Sequence, residues 1–158
     1  MLLRLVLPLL VLLAPAPALA GGSHGDLRIY SKKGAAFADV AADIEDAIVN
    51  RGYVIDHKGF IGDMLARTGP DTGAGGSPYV DARYFSFCSA ALSGRMMNAD
   101  PRNIGYCPYV VFVYELKSAP GTVHAGYREL HEAGPDASGK AIEAINAMLD
   151  GLVREAAE

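Results

Sequence analysis

The segment Tyr109–Leu116, YVVFVYEL, limits the architecture more than any other part of this chain. β-branched and aromatic residues dominate it, so it reads as a strand. Side chains alternate between the two faces of a strand. This one is apolar at nearly every position, so both sides of its sheet need cover.

Two long amphipathic helices are available for that cover. Phe37, Val40, Ala41, Ile44 and Ile48 recur at helical spacing, with Asp39, Asp43, Glu45 and Asp46 mostly off the stripe and Gly52 placed as a C-terminal stop. Near the end, Ala141, Ile142, Ile145, Met148, Leu149, Leu152, Val153 and Ala156 hold the same spacing for about four turns, behind Ser138 as a candidate N-cap. Further strands are expected at residues 27–32, 53–60, 82–88 and 122–129, with helical segments at 61–67 and Ala90–Ala99, the latter stopped by Asp100-Pro101. Residues 67–79, RTGPDTGAGGSPY, are rich in Gly and Pro and are expected to form one long surface loop. This order predicts a two-layer α+β sandwich, a mixed or antiparallel sheet with helices on one face. Two long helices cover only one face, so a homodimer, a bound ligand or the shorter segments must cover the other.

The N-terminus gives an address. Arg4 precedes an apolar run from Leu5 to Leu13, and Ala18-Leu19-Ala20 matches a small-x-small cleavage site. Pro8, Pro15 and Pro17 interrupt the run, which falls short of the roughly 20 apolar residues of a spanning helix. The expectation is a signal peptide over residues 1–20, a single domain over residues 21–158, and a periplasmic or secreted protein that is not membrane-embedded after cleavage. Lys and Arg number 14 against 18 Asp and Glu, a net charge of −4, with no basic run. Nonspecific binding to nucleic acid or anionic lipid, which needs clustered cations, is therefore disfavoured, and no nucleic-acid partner is expected.

Candidate chemistry is sparse. No nucleophile elbow or phosphate-binding glycine loop occurs, so an enzyme is not expected. Cys88 and Cys107 are the two cysteines, and their spacing is unlike the C-x-x-C of thiol oxidoreductases. Export permits a disulfide between them; two buried thiols, or a metal or redox role, are the open alternatives. The histidines His24, His57, His124 and His131 lack zinc-site spacing. His24 would suit copper if the mature chain began at Gly22, and Met96 and Met97 invite a copper or haem reading, although adjacent methionines on a helix point to different sides. His124 is the strongest candidate. It alternates with Gly126 and Arg128 on one side of its strand, opposite Val123, Ala125 and Tyr127, while Tyr84, Ser86 and Cys88 share one side of theirs. If these sides align, Tyr84, His124 and Arg128 form a face suited either to a dimer interface or to a flat, partly anionic small molecule such as a haem.

The stretch Phe87-Cys88, Asp100-Pro101, Pro108 and Val113-Tyr114-Glu115, with the helix-then-Gly-Tyr-Val-Ile segment ending at Ile55, resembles the bacterial family called domain of unknown function 302. The resemblance spans residues 27–128. It implies a compact α/β domain that forms dimers, and it brings no established activity. The chain departs from the family at one position: many members carry a second cysteine just after the proline, where this chain has Tyr109, and Cys107 stands just before it. The combined expectation is a small exported binding or accessory protein, with a haem- or copper-binding protein or a thiol-redox protein as alternatives.

Overall fold

The computed structural model of the chain describes residues 22–157 apart from Ala74 and Ala133. The expected signal segment lies outside the described residues. Six strands, β1 (Gly22–His24), β2 (Leu27–Lys33), β3 (Ile55–Phe60), β4 (Tyr79–Phe87), β5 (Tyr109–Leu116) and β6 (Thr122–Arg128), form one sheet in the order β1-β2-β6-β5-β4-β3. Every neighbouring pair is antiparallel, so of the two expected sheet types only the antiparallel one is present. The helices are α1 (Phe37–Asn50), α2 (Ile61–Thr72), α3 (Ala90–Ala99) and α4 (Asp136–Ala157), with a 3-10 segment at Pro101–Tyr106.

The apolar stripes explain the layering. Ile44, Ile48, Ile142, Ile145, Leu149, Leu152 and Val153 from α1 and α4 are fully buried. They pack on Tyr109, Val111 and Val113 of β5, Phe85 and Phe87 of β4, and Val123, Ala125 and Tyr127 of β6. Burying side chains of this size contributes about 1.5–3 kcal/mol each. Helix α3 packs against α4 and adds Met96 to the same core. Helix α1 ends as its Gly52 predicts. Gly52 takes a φ of 78°, and the amides of Gly52 and Tyr53 donate to the carbonyls of Val49 and Ile48, a Schellman arrangement.

Several boundaries differ from the sequence reading. Strand β1 was not expected, and β4 starts at Tyr79 rather than Ala82. Strand β3 starts at Ile55 rather than Tyr53, because the Schellman turn occupies the residues between. Helix α2 runs on to Thr72, into the expected loop. Pro70 lies in its last turn, where it lacks an amide to donate to the Ala66 carbonyl, and Gly73 closes the helix with a φ of 71°. The hydroxyls of Thr68 and Thr72 donate back to carbonyls of the preceding turn, those of Met64 and of Thr68 and Gly69. Helix α4 begins at Asp136, so Ser138 is not its cap. Ser138 is buried, and its Oγ accepts from Asn103 Nδ2 at 2.6 Å, pinning the 3-10 segment to α4.

The connection from β4 to β5 passes through α3 and the 3-10 segment. Ser89 caps α3 by accepting from the Leu92 amide, and Asp100 caps the 3-10 segment by accepting from the Arg102 amide. Phe87 and Tyr109 are register partners. Cys88, next after Phe87, and Cys107, two residues before Tyr109, therefore come to disulfide distance, with Cα atoms 6.0 Å apart across a separation of 19 residues. Among the described residues, no helix is long and apolar enough to cross a membrane.

Candidate functional site

The sheet face away from α1 and α4 carries the candidate site. Strand alternation puts Leu27 and Ile29 of β2, His124, Gly126 and Arg128 of β6, Phe112 and Tyr114 of β5, and Ala82 and Tyr84 of β4 on this side. The register aligns them in rows. Tyr84 stands opposite Phe112, Phe112 opposite Gly126, and Gly126 opposite Ile29. In the next rows Tyr114 pairs with His124 and His124 with Ser31, while Arg128 pairs with Leu27 and Leu27 with His24.

Two glycines shape the floor. A Cβ on Gly59 would run into the Tyr84 ring, and a Cβ on Gly126 would lie 2.6 Å from Phe112 Cζ and against the Arg28 carbonyl. The Tyr84 ring thus leans over β3 and the Phe112 ring over β6. Neighbouring register partners open away from each other. Between and around them lies a cavity of about 610 Å³, walled by Leu27, Ile29, Ile61, Tyr79 and Tyr114 and bounded at one end by His24 and Arg128. Ile61, the first residue of α2, forms one rim.

His124 sits beside this cavity rather than in its lining. Its ring stacks on Tyr114, with centroids 4.7 Å apart and 19° between planes, and its Nδ1 is 2.8 Å from Ser31 Oγ. Burial lowers its pKa and so favours the neutral imidazole. Burial, and then Tyr79, pushes the Tyr114 hydroxyl up. Tyr79 meets Tyr114 edge-on at 5.7 Å, and Phe112 lies 6.2 Å beyond Tyr114.

Two arginines border the cavity, Arg128 from the open face and Arg83, which alternates with Ala82 and Tyr84, from the helix side of β4. Arg83 is engaged: it pairs with Asp81 at 2.9 Å and lies over the rings of Phe37 and Phe60. Arg128 is exposed and has no ion pair among the described residues. Its sequence neighbour Glu129 is held by Arg28, which donates to both carboxylate oxygens at 2.9 and 3.0 Å.

The structure therefore brings Tyr84, His124 and Arg128 to one face, with Tyr84, Arg128 and His24 at the cavity itself. It does not bring the metal candidates together. Met96 is buried in the core on the helix side and Met97 packs at the edge of that core, with the sheet between them and His124. Among the described residues no group of three or more His, Cys, Asp and Glu side chains could hold a metal ion. Cys88 and Cys107 are half-buried outside the cavity lining; Ser93 Oγ lies 3.8 Å from Cys107 Sγ and 2.6 Å from the Tyr109 hydroxyl. His57 is exposed on the edge strand β3, and His131 pairs with Asp26 at 2.8 Å. The sequence reading missed the parts played by Tyr114, Leu27 and Ile29. A glycine inside a strand signals the close approach of another group, and Gly59 and Gly126 were the available clue.

No family model and no curated protein matches the chain. Among solved structures it is similar to an uncharacterised conserved protein of domain of unknown function 302 from Bacillus stearothermophilus. The TM-score is 0.65 at 13% identity, over 81% of this chain and 97% of that one. The resemblance to the family extends to the fold. At this identity the likeness is one of fold alone.

Proposed function

We propose that this chain is a small exported binding protein that holds a small molecule on the sheet face opposite its long helices. One observation carries the reading: a cavity of about 610 Å³, apolar along its floor, with polar groups gathered at its edge. Small-molecule sites are typically clefts of about 300–1,000 Å³ with mostly apolar linings and a few placed polar groups. The lining holds no carboxylate and no thiol, which favours binding over acid–base or thiol chemistry at this place. In the exported protein the Cys88–Cys107 pair acts as a staple between β4 and β5. The half-exposed Phe112 and Tyr114 favour a second reading, in which another copy of the chain covers the same face.

Native mass spectrometry of the protein purified from its own cell envelope tests this. The expected result is a chain beginning at Gly21, two hydrogens lighter for the disulfide, carrying a small molecule that leaves on denaturation. A chain that carries nothing would overturn the binding reading, and retention of Met1 in a membrane fraction would overturn export.

A further inference from the structure

We infer that the cavity takes a flat, apolar molecule with one carboxylate, its planar body against Tyr84 and Phe112 and its carboxylate at Arg128. This names the ligand class of the site proposed above and rests on that reading.

Charge is the first argument. The chain carries 18 acidic residues and a net charge of −4, yet none of those carboxylates lines the cavity, and Arg128 and His24 stand at one end of it. Arg83 is neutralised by Asp81 and held between two rings. Arg128 is left with its charge unmatched, because the nearest acid along the chain, Glu129, is engaged by Arg28. The row His24–Leu27–Arg128 places an imidazole and this guanidinium on either side of one leucine. A guanidinium binds a carboxylate through two parallel hydrogen bonds. The other end of the cavity, at Ile61 and Tyr79, is bordered by no cation except Arg83, whose guanidinium lies on the helix side of β4 over Phe37 and pairs with Asp81. The anionic group is thereby directed to one end.

Shape is the second argument. Tyr84 and Phe112 are direct register partners whose rings rest over Gly59 and Gly126. Rings seated on glycine lie low on the sheet and leave a broad, shallow opening. Flat molecules present their faces to such rings, at offset-stacked or edge-on distances. Leu27, Ile29 and Ile61 supply apolar walls on both sides. The concavity also distinguishes this occupant from a second copy of the chain. Two copies packed face to face would enclose both cavities and leave a void between them, against the close packing that stable interfaces share with protein interiors.

The test compares 2-naphthoate with its neutral analogue 2-naphthamide on the mature, disulfide-bonded chain, by isothermal titration calorimetry. The carboxylate is expected to bind about tenfold more tightly than the amide, the effect of one charge-assisted contact. Arg128→Gln, an exposed change, is expected to erase that preference and leave amide binding in place. Phe112→Leu is expected to weaken both ligands. Equal binding of the two ligands by the unaltered chain, or a preference that survives Arg128→Gln, would overturn the anionic class while leaving the binding reading standing. Binding of neither ligand would overturn this inference, and the native mass spectrum would judge the binding reading separately. Sedimentation as a dimer that Phe112→Asp dissociates would overturn both, with a second copy as the occupant.

Discussion

At the scale of single residues, His124 and Gly126 make opposite demands on the same face. His124 is stacked and partly buried, and its pKa is held below the ordinary value of about 6.5. In the unfolded chain this imidazole takes up a proton as pH falls through that value, whereas in the fold it resists doing so. The unfolded state then binds more protons, so stability is complete above about pH 6.5 and declines as pH falls toward the depressed folded-state value. NMR titration of His124 should give a midpoint below that of a free histidine. Urea unfolding of His124→Gln should lack the part of the acid-side decline that this residue contributes. A midpoint at or above the free value would contradict the burial of this imidazole. Gly126 is required by space. A Cβ there meets the Arg28 carbonyl and the Phe112 ring; backbone cannot yield as a flexible side chain can. Gly126→Ala should destabilise by about 1–3 kcal/mol. Gly94→Ala, inside α3 with nothing within 4 Å of the added methyl, should stabilise by about 0.5–1 kcal/mol. Chemical denaturation of the two variants checks the contrast.

At the scale of elements, β5 shows how one apolar strand serves two environments. Tyr109, Val111 and Val113 are fully buried under the helices, while Val110, Phe112 and Tyr114 are half-buried on the other face. Val111→Asp should abolish folding, because it buries a carboxylate with no partner. Phe112→Asp should still fold, since water can reach the new group, and should lose whatever occupies the cavity. Circular dichroism of the two variants separates them, and two folded or two unfolded proteins would mean that the faces are wrongly assigned. Helix α2 belongs to the same argument. Among the described residues it borders the second face through Ile61 and contributes no other residue to the cavity lining.

At the scale of the whole molecule, the β4-to-β5 connection is the longest excursion between neighbouring strands of the central sheet. The Cys88–Cys107 pair closes it across a separation of 19 residues. On the chain-entropy account, a loop of this length stabilises the fold by about 3 kcal/mol, by restricting the unfolded chain. Reduction, or the paired change Cys88→Ser and Cys107→Ser, should lower the unfolding free energy by about that amount and leave the far-UV spectrum unchanged. The core beneath, from α1, α3 and α4, includes neither cysteine. Loss of the fold on reduction would show that the staple organises the connection rather than securing it. Unchanged stability would show that no bond forms.

The elements were largely legible because periodicity is a local property. The stripe from Ala141 to Ala156, the strand Tyr109–Leu116 and the helix Ala90–Ala99 each declare their own geometry, and the alternation in β6 separated Val123, Ala125 and Tyr127 from His124, Gly126 and Arg128. The sequence by itself therefore determined the two-layer α+β class and the sets of side chains that share a face. Only the tertiary structure decided what lies across from what. That Tyr84 faces Phe112, and Phe112 Gly126, is a matter of strand register, and a one-residue slip would reverse every face. That Ser138 is a buried partner of Asn103 rather than a cap depends on where the 3-10 segment docks. The cavity is likewise a product of long-range packing. It exists because the rings of Tyr84 and Phe112 rest over glycines on neighbouring strands and because α2 turns along β4, and neither fact is encoded in any short stretch of the chain.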